Sequence, residues 1–275
     1  MAPKIAIVFW SMYGHVQKLA EAELAGIKAA GGTADLYQLP ETLPQEVLTK
    51  MHAPPKDANI PVLEDPKTLE QYDAFLFGIP TRYGNFPAQW KTFWDKTGGQ
   101  WQSGAFWGKY AGLFVGTATA GGGQETTAMN AMSTLTHHGI IYVPLGYKHT
   151  FALLSDLSEV RGGSPWGAGT FSAGDGSRQP SAKELELATA QGKAFYEQVS
   201  KEDGEKKTLA ERPAATKTEP AATNAASGGA AAGTGSGAGA ATTVPGKDFA
   251  TQQKQEEEKD AKKGPCGLPA KCVVN

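Results

Sequence analysis

The chain opens with the near-continuous apolar run Lys4-Ile5-Ala6-Ile7-Val8-Phe9-Trp10, followed by the polar stretch Ser11-Met12-Tyr13-Gly14-His15-Val16. An apolar run without alternation is typical of a strand that is covered on both faces. Apolar residues then recur at helical spacing from Val16 to Ile27, and Gly31-Gly32 supplies a stop. This stretch therefore predicts a central strand, a polar loop and a helix.

The same pattern of strand, loop and helix repeats along the chain. It predicts further strands over 33–39, 73–79, 110–117 and 140–144, helices over 90–96 and 126–137, and a last helix that begins with a capping box at Ser181 and Glu184. Five strands alternating with helices predict an α/β fold, a doubly wound five-stranded parallel sheet with helices on both faces. Two segments, 40–66 and 148–179, are longer than such a domain needs, and loops of that length are usually functional or packed on a partner.

Composition changes sharply near residue 200. All six Trp, all eight Tyr and all five His precede that point. We predict a folded domain over 1–200, a low-complexity flexible linker with a charged segment over 201–263, and a Cys-containing end over 264–275. Residues 221–243 are Ala, Gly, Thr, Ser and Asn only, so the C-terminal tail is expected to be disordered.

Charge and cysteine content exclude several classes of function. The net charge of −2 divides as −3 for residues 1–200 and +1 for the rest, which offers no basic surface for nucleic acid. No window resembles a membrane span or a signal peptide, so we expect a cytoplasmic protein. Both cysteines, Cys266 and Cys272, lie in the last ten residues. Redox chemistry in the domain would therefore need a cofactor.

Three loops that follow predicted strands are the candidate ligand site, because open α/β sheets bind ligands at the carboxyl ends of their strands. Loop one, 11–16, opens a helix whose free N–H groups suit a phosphate, with Ser11 and His15 as further donors. A loop that merely caps the helix is the alternative. Loop three, 80–87, combines a stiff backbone with Arg82 and Tyr83, which suits a flat heteroaromatic ring. An ordinary turn before a helix is the alternative here.

Loop four, 117–126, contains three successive glycines, Gly121 to Gly123. Glycines cost backbone entropy in ordered structure, and they suit a place where the backbone must approach a ligand closely. The G-x-G-x-x-G pattern of dinucleotide-binding domains is absent after strand one, which favours a mononucleotide. On one sheet edge, a phosphate loop, a ring-holding loop and a close-approach loop together describe an FMN site.

Several motifs then make a family resemblance specific. The chain contains S-M-Y-G-H-V at 11–16, P-T-R-Y-G-N at 80–85, G-G-G-Q-E-T at 121–126, H-H-G at 137–139, V-R-G-G-S-P-W-G-A at 160–168 and G-D-G-S-R-Q-P-S at 174–181. In this order they resemble the WrbA-type NAD(P)H:quinone oxidoreductases, which are flavodoxin-like. The similarity runs from about residue 4 to 200, and the long C-terminal tail is most similar to the fungal members.

The resemblance implies FMN as cofactor, NADH or NADPH as co-substrate, and two-electron reduction of quinones to hydroquinones by ping-pong hydride transfer, with a role in oxidative-stress protection. It implies a homotetramer, or dimer of dimers, in which neighbouring subunits complete the pocket. His137 matches the active-site histidine, and Tyr13 and Trp101 flank the substrate pocket. The residues matched to the cofactor site are Ser11, Met12, Tyr13, Gly14, His15, Val16, Pro80, Thr81, Arg82, Tyr83, Gly84, Thr117, Ala118, Thr119, Ala120, Gly121, Gly122 and His137.

Other interpretations stay open at this point. A flavodoxin-like electron carrier is one, although a domain charge of −3 lacks the strong acidity of such carriers. A membrane-associated, non-catalytic flavoprotein scaffold is another, and it depends on the tail. Cys272-Val273-Val274-Asn275 has the C-a-a-X form, with Cys266 as a second acylation site, but Asn is not a usual last residue. Lipidation at the plasma membrane and an unmodified end are both compatible with this sequence.

Overall fold

The computed structural model describes residues 2–210, with side chains to residue 201, and shows a parallel sheet with helices on both faces. Its strands are β1 Ile5–Phe9, β2 Ala34–Gln38, β3 Ala74–Pro80, β4 Tyr110–Thr117, β5 Ile141–Tyr142 and β6 Gly169–Phe171. Its helices are α1 His15–Ala29, α2 Gln45–Lys50, α3 Ala88–Asp95, α4 Gly98–Ser103, α5 Gln124–His137, α6 Phe151–Ser155 and α7 Ala182–Ala210, with a 3₁₀ helix over Pro66–Gln71. The strand order is β2-β1-β3-β4-β5, and β6 also pairs with β4. The predicted doubly wound fold is confirmed.

The edge of the sheet beyond β4 differs from the prediction, because two short strands share it. β5 pairs with the first two residues of β4, and β6 pairs with Val115 to Thr117. The chain leaves the sheet after Tyr142 and returns at Gly169. Glycine allows this return to lie against β4, since a Cβ at Gly167 would come 1.9 Å from the carbonyl oxygen of Leu113. The described residues therefore form six strands rather than five.

β1 separates two hydrophobic cores. Ile5, Ile7 and Phe9 belong to the core on the side of α1 and α7, whereas Ala6 and Val8 belong to the core on the side of α3 and α5. Every residue of this strand is buried. Because both faces are covered, the strand has no polar alternation, as its sequence predicts.

The predicted capping box at the start of α7 is confirmed. The Ser181 N–H donates to Glu184 Oε2 at 2.8 Å, and the Glu184 N–H donates to Ser181 Oγ at 3.3 Å. The helix then continues past residue 200 to Ala210. Residues 211–275, which include most of the predicted linker and the predicted Cys-containing end, lie outside the described residues. Within the described part of the chain, none of the helices combines the length and the apolar character needed to span a bilayer.

Candidate functional site

A cavity of about 440 Å³ opens at the carboxyl ends of β1, β3 and β4, where the three predicted loops meet. This volume lies within the roughly 300–1,000 Å³ that is usual for cofactor pockets. The predicted residues that line it are Ser11, Met12, Tyr13, His15, Val16, Pro80, Thr81, Arg82, Thr117, Ala118, Thr119 and Gly122. All three loops therefore contribute to one site. Among the described residues, no group of His, Cys, Asp or Glu side chains is arranged to hold a metal ion.

Loop one leads into a helix start that no side chain caps. Gly14 is the N-cap residue of α1, with a left-handed φ of 86°, and no side chain accepts a hydrogen bond from the first turn. The first helical bond runs from the Lys18 N–H to the Gly14 carbonyl, so the amides before Lys18 have no helical acceptor. The geometry departs from a simple capping loop and leaves N–H donors for an anion, reinforced by the helix dipole.

The side chain of His15 is occupied by the protein itself. Its Nε2 lies 3.1 Å from the carbonyl oxygen of Gly176, to which it donates. Burial lowers the pKa of His15 below its usual 6.5, so the ring is neutral at pH 7. The ring thus fastens the loop around Gly176 to the start of α1, and the backbone N–H of His15 is the donor available to a ligand.

Loop three is held in a tight turn. Arg82 and Asn85 exchange two backbone hydrogen bonds of 2.9 and 3.0 Å, and Tyr83 and Gly84 between them have φ values of 55° and 72°. Asn130 on α5 donates to the Gly84 carbonyl at 2.6 Å. In this turn the ring of Tyr83 is fully exposed and does not line the cavity, nor does Gly84. The sequence predicts an aromatic side chain of this loop in the ligand site, but within one chain Tyr83 does not form part of the cavity wall.

The conformation of loop four itself explains most of its glycines. Gly121 and Gly123 have φ values of 71° and 96°, which favour glycine whatever lies nearby. A Cβ at Gly122 would come 2.7 Å from the carbonyl oxygen of Thr119. Of the predicted residues 120–122, only Gly122 lines the cavity. Turn geometry, rather than contact with a ligand, therefore accounts for most of this glycine run.

One wall of the cavity was missed by sequence reasoning. It consists of Thr170, Ser172, Ala173, Gly174, Asp175 and Gly176, and Trp10 and Gly116 also line the site. The Asp175 carboxylate accepts hydrogen bonds from the Ser177 N–H at 3.0 Å and the Ser177 hydroxyl at 2.8 Å. The only sequence signal was the G-D-G-S-R-Q-P-S motif at 174–181, which carried the family resemblance without an assigned role.

Glu184 holds this wall in place. The carboxylate is completely buried at the start of α7. It accepts hydrogen bonds from the Gly162 N–H at 2.7 Å and the Thr170 hydroxyl at 2.8 Å, and it pairs with Arg178 at 2.9 Å. Arg178 in turn donates to the Phe171 carbonyl at 2.6 Å. One charged group therefore organises the long excursion between β5 and α7.

Two predicted residues lie away from the cavity of their own chain. α5 begins at the cavity edge, and His137 is at its other end, about 20 Å further along at 1.5 Å per residue. His137 is exposed, and its Nδ1 lies 2.7 Å from the Ser133 carbonyl. Trp101 lies on α4 and is 59% exposed. The start of α4 contacts the end of α5, where Thr97 Oγ1 and His138 Nε2 are 2.9 Å apart. Within one chain His137 and Trp101 therefore lie away from the flavin loops, because the end of α5 and the whole of α4 are at the opposite edge of the sheet.

Comparison with known proteins relates this chain to a family. Residues 4–150 match the family described as NADPH-dependent FMN reductase. The chain is 74% identical over 201 residues to "Minor allergen Alt a 7" of Alternaria alternata, covering 73% of this chain and 98% of that protein. It is 61% identical over 201 residues to "NAD(P)H quinone oxidoreductase PST3" of Candida albicans, covering 73% of this chain and 100% of that protein. A WrbA-like flavodoxin structure from Agrobacterium tumefaciens has a TM-score of 0.50 at 23% identity, covering 72% and 98% of the two chains.

Proposed function

The chain belongs to the NADPH-dependent FMN reductase family, and from this premise we propose that it is an FMN-dependent NAD(P)H:quinone oxidoreductase. The observation that carries the proposal is the single cavity formed where loops one, three and four meet at the carboxyl edge of the sheet. The Candida albicans relative that bears the name of this activity is 61% identical along its whole length. The family and this relative together make the enzyme the best-supported function.

The residues around the cavity fit FMN. The uncapped first turn of α1 offers N–H donors and a positive dipole end, and the Ser11 hydroxyl adjoins it, so a phosphate would be held there. Thr81, Arg82, Thr117 and Gly122 line the part that would hold a ring system. When bound, FMN supplies the chemistry of accepting a hydride and passing on two electrons. The protein contributes position and hydrogen-bond donors.

Tyr13 would border the substrate pocket from this chain. Its ring is 41% exposed at the cavity, and its hydroxyl donates to the Met51 carbonyl at 3.0 Å, which fixes the ring in place. We propose that Trp101 and His137 reach the pocket from a neighbouring subunit of a homotetramer. His137 would then donate to the quinone oxygens and stabilise negative charge that develops there.

The proposed reaction is ping-pong, because NAD(P)H and the quinone would use one pocket in turn. Stopped-flow mixing of the FMN-loaded full chain with NADPH or NADH should bleach the flavin near 1:1 stoichiometry. Initial rates with benzoquinone should then give parallel lines in double-reciprocal plots. Absence of flavin binding, or of bleaching by either dinucleotide, would reject the enzyme. Bleaching without quinone turnover would instead favour the electron carrier.

We also propose a physiological setting for this activity. A two-electron reductase that avoids semiquinone release would protect against oxidative stress, and a cytoplasmic location, peripheral at the plasma membrane, would give access to apolar quinones. The predicted lipidation sites Cys266 and Cys272 lie outside the described residues. Intact-mass measurement of the protein from its native host should show added lipid mass; two free thiols would reject the membrane anchor.

A further inference from the structure

A second cavity adjoins the proposed flavin site. Its volume is about 370 Å³, and it shares Ser11 and Met12 with the first cavity. Its other wall is the segment around α2, which the Tyr13 hydroxyl joins to loop one through the Met51 carbonyl at 3.0 Å. The lining residues that matter most are Glu41 and Lys56, because they are charged.

The ammonium group of Lys56 lacks an anionic partner in the described part of the chain. Ion pairs within 4.0 Å there are Arg178–Glu184 and Lys183–Asp156, and Lys56 is in neither. Its Nζ lies 6.0 Å from the centroid of the Trp10 ring. Burial lowers the pKa of Lys56, against the field of Glu41, which raises it. A partly buried cation without a partner is costly, and an anionic ligand would remove that cost.

Glu41 is close enough to act on Lys56 electrostatically, yet it is committed elsewhere. Its Oε1 accepts hydrogen bonds from the Thr42 N–H at 2.8 Å, the Leu43 N–H at 3.0 Å and the Gln89 side chain at 2.6 Å. These bonds hold the carboxylate against its own loop and the start of α3. Lys56 is therefore left available to a ligand in the cavity.

A second cation borders the same place from the flavin side. The guanidinium carbon of Arg82 lies 5.7 Å from the Trp10 ring centroid, and Arg82 lines the first cavity. Among the described residues, the guanidinium of Arg82 donates to the neutral carbonyl of Thr81, at 2.9 Å. Two positive charges thus face the boundary between the cavities, around one buried indole.

We propose that Lys56, assisted by Arg82, binds a phosphate group of the dinucleotide co-substrate. The inference rests on the proposed function, since the nicotinamide must enter the flavin cavity while the rest of the molecule extends outside it. The second cavity is the adjoining space, and its cation suits the phosphates that every nicotinamide dinucleotide carries. Simple quinones have no phosphate, so Lys56 distinguishes two substrates that take turns in one pocket.

The test compares Lys56→Met with the matched control Lys50→Met, which removes an exposed lysine at the end of α2 outside both cavities. Both are made in the FMN-loaded full chain. Lys56→Met should raise KM for NADPH or NADH about ten- to hundredfold, the usual effect of losing a charged hydrogen bond. KM for benzoquinone, and the Kd for FMN measured by fluorescence, should stay at wild-type values. Lys56→Arg should restore most of the dinucleotide affinity.

Calorimetric titration of the oxidised holoprotein with NADP⁺ and NAD⁺ gives a readout that does not depend on turnover. Weaker binding of NADP⁺ alone identifies the 2′-phosphate as the ligand, and equal weakening of both identifies the pyrophosphate. Unchanged Kd and KM for both dinucleotides in Lys56→Met, with normal wild-type turnover, would overturn this inference and leave the proposed function intact. Failure of the wild type to oxidise either dinucleotide would overturn both.

Discussion

Glu23 gives the sharpest stability prediction. It lies on α1 with its side chain fully buried, and neither carboxyl oxygen has a hydrogen-bond partner among the described residues. α7 packs closely on this part of α1, since a Cβ at Gly192 would come 2.1 Å from the Glu23 carbonyl oxygen. Burial raises the pKa of Glu23 well above its usual 4.5, so the folded chain retains a proton there.

The sign of the pH dependence follows from proton binding. Above pH 4.5 the unfolded chain releases the Glu23 proton while the folded chain keeps it. Glu23 therefore lowers the free energy of unfolding as pH rises, by about 1.4 kcal/mol per pH unit until the pH reaches the raised pKa. Glu23→Gln cannot ionise, so its stability relative to wild type should increase with pH at that slope. Glu23→Met also removes the unsatisfied polar group and should stabilise by about 1–3 kcal/mol at pH 7.

The measurement is urea denaturation of the full chain, followed by tryptophan fluorescence, at several pH values from 4.5 to 7.5. Glu21→Gln is the matched control, because Glu21 is exposed on the same helix and, among the described residues, accepts a hydrogen bond from the Gln17 side chain at 3.0 Å. The control should change stability by less than about 0.5 kcal/mol at every pH. Parallel stability profiles for wild type and Glu23→Gln would refute the reasoning, since they would mean that Glu23 is ionised or paired in the folded chain.

Three further substitutions test the site and its supports. Glu184→Ala should lower the free energy of unfolding by about 3–5 kcal/mol, because Arg178 loses its buried partner, and it should weaken FMN binding measured by fluorescence titration. Glu186→Ala is the control, because Glu186 is exposed on the same helix. Gly14→Ala should lower the free energy of unfolding by about 1–2 kcal/mol and weaken FMN binding, because Gly14 has a left-handed φ of 86° at the start of α1. An unchanged Kd for FMN would count against the phosphate site. Burial lowers the pKa of His138 below 6.5, so the wild type should lose stability as pH falls below 6.5, and His138→Leu should reduce that loss. In thermal melts between pH 7 and 5, the same change of Tm with pH in the variant and the wild type would contradict the burial of a neutral ring.

Much of the fold could be predicted from local patterns. β1 to β4 and the long helices have apolar runs or helical spacing that depend only on neighbouring residues. The ends of these strands and of α1, α3 and α5 agree within a few residues, whereas α7 extends about ten residues past the predicted end near Ser200. β6 could not be predicted in this way, because its three residues begin with glycine and gain their strand conformation from pairing with β4. A short strand whose pairing partner lies far away in sequence leaves little trace of periodicity.

The cavity likewise has parts that local patterns predict and a part that they do not. Loops one, three and four follow strands directly, so their position at the sheet edge follows from the topology. The wall around Gly176 depends instead on contacts across the sequence: His15 donates to the Gly176 carbonyl across 161 positions, and Glu184 fastens Thr170. No local pattern encodes such contacts. Only the family resemblance pointed to the motif at 174–181, and it assigned no role to these residues.

The positions of the exposed aromatic residues bear on the size of the functional unit. Tyr13 and Tyr83 are exposed at the cavity edge of the sheet. Trp101 and Trp107, 59% and 78% exposed, lie at the opposite edge near the end of α5. Large exposed aromatic side chains are enriched in contact surfaces between proteins. In the proposed tetramer, a neighbouring chain would bring its Trp101 and His137 over the cavity that a single chain leaves open. The same contact would cover the ring of Tyr83, which is fully exposed in the described part of its own chain.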